Sequence, residues 1–140
     1  MGIILAKALQ DFHAQGFVHC DLKPDNVTFD FCENDTARVA YIIDLGHTRR
    51  VGRTHLLNTA AANRPWYCRC FFDERPVSPA CDVLALGYIL QFLLDQMWCE
   101  YDVLETVFAM ASKPRDEDRP SVMQVHDALV ETLEGLEQQE

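Results

Sequence analysis

The sequence predicts a mainly α-helical fold with short β-hairpins, and three observations carry that expectation. Ile4, Leu5, Ala8, Leu9 and Phe12 recur at the spacing of one helix face. Val27 to Phe29 and Val39 to Ile43 are short runs of strand formers on either side of a polar turn, Glu33-Asn34-Asp35. From Val83 to Leu94 the chain is apolar almost all round, through Leu84, Leu86, Tyr88, Ile89, Leu90, Phe92 and Leu93, which suits a helix in the middle of a core. A chain of 140 residues, 49% of them hydrophobic, is long enough to bury such a core as one domain or part of one.

In chain order, the first helix should stop at Gly16, just before the apolar pair Phe17-Val18. The loop that follows reads His19-Cys20-Asp21-Leu22-Lys23-Pro24-Asp25-Asn26-Val27. Pro24, Asp25 and Asn26 are turn formers, and a surface turn alone would use them. A turn does not explain the second acidic loop, Ile42-Ile43-Asp44-Leu45-Gly46, placed after the hairpin. Together the two loops resemble the catalytic and metal-binding loops of eukaryotic-type protein kinases, whose patterns are His-Arg-Asp-Leu-Lys-Pro-x-Asn and Asp-Phe-Gly. Cys20 stands in place of the family arginine and Leu45 in place of the phenylalanine.

The resemblance implies a role for each residue. Asp21 would accept or orient the proton of a substrate hydroxyl, and Lys23 would neutralise charge on the transferred phosphoryl group. Asn26 and Asp44 would offer hard oxygen ligands to Mg²⁺ bridging the phosphates of ATP. His19 would give structural support. Asp-Leu-Lys-Pro is similar to the serine/threonine-specific form of the loop, so the implied reaction is ATP-dependent transfer to a serine or threonine hydroxyl of a protein.

Residues 47–74 occupy the place of an activation segment, with Arg49, Arg50, Arg53 and Arg64 around Thr48, Thr54 and Thr59. A thiol at Cys20 cannot make the bidentate bonds by which the family arginine grips a phosphate there, so control by that phosphate is not expected. No Ala-Pro-Glu follows the aromatic pair Trp66-Tyr67, which leaves the peptide-binding floor in question. Ser78 to Gly87 resembles the start of the family's central helix, and Asp82 would accept backbone N–H bonds from the catalytic loop beneath it. Arg115 to Ser121 resembles the loop before the last family helix, whose arginine pairs with the Ala-Pro-Glu glutamate; Arg119 would need another acid, Glu74 or Asp73, or lose the pair. Only about ten residues separate the apolar run from a helix starting near Asp102, which shortens or removes a substrate-docking helix of the family. Glu131, Glu134, Glu137 and Glu140 mark an acidic, solvated helical tail.

The 140 residues contain no G-x-G-x-x-G, and the only lysines are Lys7, Lys23 and Lys113, none placed to hold ATP phosphates from a strand. The expectation is therefore a partial kinase domain over residues 1–140, the C-terminal lobe without the N-terminal β-rich lobe, with the resemblance running from about residue 3 to residue 125. Catalysis by the isolated chain is not expected. A net charge of −10 argues against nucleic-acid or anionic-membrane partners and leaves a protein substrate or protein partner. Ile3-Ile4-Leu5 is too short a run for a signal or a span, and Ala6 stands where the Met1-Gly2 myristoylation pattern wants Ser or Thr. Cys20, Cys32, Cys68, Cys70, Cys81 and Cys99 include no C-x-x-C pair and read as reduced thiols of a cytoplasmic or otherwise intracellular protein. Zinc held by Cys68, Cys70 and Cys81 is the alternative, although the spacing fits no common finger. Two further functions stay open: a catalytically inactive, pseudokinase-like scaffold, and a small-molecule phosphotransferase of the aminoglycoside-kinase type, against which Lys23, Asp82 and Arg119-Pro120-Ser121 all weigh.

Overall fold

A computed structural model describes residues 1–97 and 102–139. Four α-helices, α1 (Gly2–Ala14), α2 (Pro79–Met97), α3 (Asp102–Ala111) and α4 (Val122–Glu137), surround short strands β1 (Phe17–Val18), β2 (Val27–Phe31), β3 (Ala37–Ile42) and β4 (Arg49–Arg50). The expected mainly helical architecture with short two-stranded pairings is what forms. Helix α1 ends as anticipated, with Gly16 at φ +87° and its N–H donating to the His13 carbonyl at 2.9 Å.

The β2–β3 hairpin is antiparallel and pairs Val27 with Ile42 and Phe29 with Ala40. Both strands differ slightly from expectation: β2 reaches Phe31, while β3 begins at Ala37 and ends before Ile43. An irregularity at Asp30/Phe31 and a turn closed by Cys32 N–H to the Thr36 carbonyl, 2.9 Å, absorb the difference. Beyond the ladder, Ile43 N–H donates to the Asn26 carbonyl at 2.9 Å, so the open end of the hairpin joins the two loops that the sequence singles out. The β1–β4 pair, Phe17 with Arg50 and Val18 with Arg49, is not among the strands expected, and Arg49 and Arg50 lie in the stretch read as an activation segment. Two residues carry too little periodicity to announce a strand.

The main core is built from Leu5, Ala6 and Leu9 of α1, Leu22 of the loop after β1, Val83, Leu86, Ile89 and Leu90 of α2, Val107 and Ala111 of α3, and Val122, Val125 and Leu129 of α4. Each fully buried leucine or isoleucine contributes about 1.5–3 kcal/mol relative to exposure. A second cluster joins Val18, Cys20, Cys68, Cys70, Phe71, Val77, Cys81 and Leu84. It pins the end of the 47–77 segment under the loop after β1. Helix α4 begins at a capping box, Gln124 N–H to Ser121 Oγ at 3.1 Å and Ser121 N–H to Gln124 Oε1 at 2.8 Å.

Helix α2 departs from expectation in two ways. It is not covered all round: Tyr88 and Phe92 are exposed, because α1 and α3 pack on other faces. It also runs past the apolar stretch to Met97, helped by Gln91 Nε2 donating to Asp95 Oδ1 at 3.0 Å, so the interval before α3 is residues 98–101 rather than about ten. Those residues, with Cys99, and Glu140 of the acidic tail lie outside the described residues. Among the described residues no helix is long and apolar enough to cross a membrane.

Gly87 sets the spacing of α2 and α3. A Cβ there would lie 2.9 Å from the Ala111 Cβ, closer than carbon atoms can approach. Alanine at an ordinary helix position gains about 1 kcal/mol over glycine, whereas overpacking a core costs about 1–3 kcal/mol. Gly87→Ala should therefore lower the urea midpoint; an increase would mean that α3 shifts away without loss.

Candidate active site

The loop after β1, residues 19–26, is placed by a buried carboxylate. Asp82, in the first turn of α2 and 1% exposed, accepts from His19 N–H at 2.7 Å through Oδ2 and from Cys20 N–H at 3.0 Å through Oδ1. His13 Nε2, at the end of α1, lies 2.8 Å from the same Oδ2 and donates to it. Three donors offset the burial of the charge. They also hold Cys20 at φ +66°, a left-handed conformation that costs a non-glycine residue roughly 1–2 kcal/mol. The Cys20 side chain turns inward to the Val18 carbonyl, and burial, then the nearby Asp82 charge, push its thiol up to about 12. It remains a neutral thiol.

That turn aims Asp21 at the site. His19 accepts the Asp21 N–H on Nδ1 at 3.2 Å and, from the tautomer this requires, donates Nε2–H to the Ile43 carbonyl at 2.9 Å. One imidazole thus spans from Asp21 to the residue before Asp44. The Asp21 side chain, in a residue only 5% exposed, is engaged at both oxygens. Oδ1 accepts from the Tyr67 hydroxyl at 2.8 Å; Oδ2 accepts from Asn26 Nδ2 at 3.3 Å and lies 3.7 Å from Lys23 Nζ. Asn26 Nδ2 also donates to the Asp21 carbonyl at 2.8 Å.

These bonds occupy the Asn26 amide nitrogen, and among the described residues no hydrogen bond reaches its Oδ1. Asp44 is exposed, sits at φ +58°, a conformation aspartate tolerates, and accepts only a long bond from Gly46 N–H, 3.4 Å, on its Oδ1. An amide oxygen and a carboxylate at the open end of one hairpin are hard donors that suit Mg²⁺. Beside the loop opens a largely apolar cavity of about 380 Å³ bounded by Leu22, Lys23, Trp66, Tyr88 and Phe92.

Of the residues expected in the site, the structure brings Asp21, Lys23, Asn26 and His19 into direct contact and supports them with Asp82. Asp44 joins them through the backbone of Ile43. Arg119 lies apart, and of the two outcomes left open for it the structure shows the lost pair, with no acid beside it among the described residues: its guanidinium bonds the carbonyls of Lys113 (2.7 Å), Pro114 (3.0 Å) and Ala80 (3.0 Å), and Nη1 lies 3.3 Å from Cys68 Sγ. Neither Glu74 nor Asp73 reaches it. Glu74 is in a left-handed turn, φ +53°, and Asp73 is drawn to Arg69 and Arg75 at the surface. Sequence reasoning missed Tyr67 and His13. No signal pointed to His13, whose bond to Asp82 spans 69 positions, whereas Tyr67 stood in a recognised aromatic pair without an assigned partner.

The sequence profile of the protein kinase domain matches residues 3–136. The chain belongs to the protein kinase family. It is 34% identical over 131 residues to human serine/threonine-protein kinase SBK2, an alignment covering 83% of this chain and 36% of that protein. It is 32% identical over 108 residues to serine/threonine-protein kinase ArnS of Sulfolobus acidocaldarius, covering 69% of this chain and 17% of that protein. With serine/threonine-protein kinase AfsK of Streptomyces coelicolor it shares 41% over 91 residues, 63% of this chain and 11% of that protein. The chain thus spans about a third or less of the length of these relatives.

The contacts of Asp82 and the surroundings of His55 each lead to a measurable outcome. Asp82→Ala strands the His19 and Cys20 amides, at about 1–3 kcal/mol for each donor left without an acceptor. The melting temperature should fall clearly; an unchanged value would show that water replaces the carboxylate. His55, buried against Phe71 and 3.3 Å from His47, is held down at about 4 by burial first, then by the Arg49 and His47 charges. Its folded value is below the ordinary 6.5, so the unfolded chain binds the extra proton and stability is lost as pH falls from about 6.5 through about 4. His55→Gln should flatten the fall in that window, seen as a smaller change in urea midpoint than in the parent; parallel curves would place the titration elsewhere.

Proposed function

We propose that this chain is the C-terminal lobe of a serine/threonine protein kinase that transfers the γ-phosphoryl group of ATP to a protein hydroxyl. The observation that carries the reading is at Asp21 Oδ1, where a hydroxyl, that of Tyr67, already lies at 2.8 Å. This is the distance at which a positioned carboxylate accepts or orients a reacting proton. A substrate serine or threonine would take that place. Asn26 holds Oδ2 and the loop backbone, so that the carboxylate does not rotate when Tyr67 leaves. Lys23, near Oδ2 and partly exposed, has the reach to meet charge on the transferred group. Mg²⁺ on Asn26 and Asp44 would screen the phosphate oxygens. The apolar cavity beside Lys23 offers room for a side chain of the substrate peptide next to its hydroxyl.

A non-catalytic, protein-binding role is the second reading, and one observation favours it: both Asp21 oxygens already accept bonds from within the chain, and the Tyr67 hydroxyl fills the place a substrate hydroxyl would take. The test joins residues 1–140 to a kinase N-terminal lobe carrying the Gly-rich loop, strand lysine and helix glutamate, and measures radiolabelled phosphate incorporated into serine/threonine peptides. Under the enzyme reading Asp21→Asn lowers incorporation by about 10²–10³-fold or more, while Tyr67→Phe, which vacates Oδ1, does not lower it. Equal background signals from the parent and Asp21→Asn would favour the binding role.

A further inference from the structure

We propose that Cys68, Cys70 and Cys81 form a binding site for a thiophilic divalent cation, zinc being the ion whose ligand preferences they meet. The three sulfurs lie within 4.8 Å of one another, and the residues are 0%, 1% and 1% exposed. They come from two elements: Cys68 and Cys70 bracket the first residue of a single 3₁₀ turn, Arg69–Phe71, and Cys81 stands at the third position of α2. Tetrahedral zinc at about 2.3 Å from each sulfur sets the sulfurs about 3.8 Å apart. Closing the cluster therefore requires each pair to approach by no more than about 1 Å, within reach of small side-chain rotations.

A buried cysteine is often only a small apolar filler. The charge beside this group argues for more. Arg119 is 8% exposed, and among the described residues its guanidinium meets carbonyls and the Cys68 sulfur but no carboxylate. A buried cation without an anion is costly. Three thiolates on a divalent ion sum to one negative charge, which the guanidinium 3.3 Å from Cys68 Sγ neutralises as an outer partner. Loading is a proton exchange without redox change: the ion enters, three thiol protons leave to solvent, and the fourth tetrahedral position goes to a solvent molecule or a further protein donor. The bound ion would tie the end of the 47–77 segment to the start of α2. Soft sulfur ligands set this site apart from the hard oxygen pair Asn26 and Asp44, so it stands or falls independently of the kinase chemistry.

The test isolates the full chain from zinc-supplemented cells without chelator, measures metal by mass spectrometry, and titrates the metal-free protein with Zn²⁺ and with Co²⁺ as a spectroscopic probe. The expected results are about one zinc per chain, proton release on binding, and a sulfur-to-cobalt charge-transfer band. Cys68→Ser, Cys70→Ser and Cys81→Ser should each weaken Zn²⁺ by more than the roughly 10–100-fold typical of losing an outer-shell partner. Cys32→Ser, at an exposed cysteine outside the cluster, should leave it unchanged. Substoichiometric zinc with no charge-transfer band in the parent chain overturns the proposal, whether or not the variants fold. So does full retention of zinc by Cys81→Ser.

Discussion

The arrangement of the loop that carries Asp21, Lys23 and Asn26 depends on one buried carboxylate. Asp82 sits at the start of the central helix and faces the backbone of the loop after β1, where it takes the His19 and Cys20 amides and the His13 ring. Its position is fixed by the core on which α2 rests, so the loop inherits the rigidity of Leu86 and Ile89 a turn or two away. The left-handed turn at Cys20 would be unfavourable in a free loop. With its amide held from beneath it becomes the stable one, and Asp21 is set beneath Tyr67 with its carboxylate already oriented.

From Asp21 the constraint passes outward through His19. The same ring that receives the Asp21 amide donates to Ile43, so the position of Asp44 is tied to that of the proposed base by one side chain rather than by the length of the hairpin between them. The hairpin supplies the complementary link, Ile43 N–H to the Asn26 carbonyl. Two backbone groups of one residue therefore hold both loops. This is why a short, two-stranded hairpin, marginal by itself in water, suffices here: its closing end is bonded into the buried part of the lobe, and its free end, at Cys32 to Asp35, carries no site residue.

Much of this is legible in the sequence because the relevant contacts are local. Asp21, Lys23 and Asn26 fall within six positions, so their spacing alone brings them together, and α1, β2, β3 and α2 have periodicities that show without a structure. Asp82 was also legible, through the resemblance of Ser78 to Gly87 to the start of the family's central helix. What escaped are contacts that join distant residues without a periodic signal: Tyr67 on Asp21 across 46 positions, His13 on Asp82 across 69, and the two-residue pair β1–β4. The exposure of Tyr88 and Phe92 was hidden for a different reason. An apolar residue reports its composition, whereas burial depends on whether another element arrives to cover it.

Arg119 shows how a family position can keep its residue and change its physics. A guanidinium paired with a carboxylate fixes the end of a segment by charge. Here the same group caps three carbonyls, and the segment end offers it a sulfur in place of an acid. Cys81 and then Arg119 favour the ionised form against the cost of burial and hold the Cys68 thiol below its ordinary value, so a polarised sulfur stands where an acid would. A cysteine sulfur is softer and more diffuse than a carboxylate and has no second oxygen for a bidentate bond. The clamp it forms is less directional, and the position of the Trp66-Tyr67 pair then rests on packing in the Val18, Phe71, Val77 and Leu84 cluster more than on charge. That packing directs Tyr67 toward Asp21: its ring meets Phe71 at 6.2 Å between centroids while its hydroxyl reaches the carboxylate. The altered clamp and the Tyr67-bonded Asp21 are thus two ends of one rearranged segment.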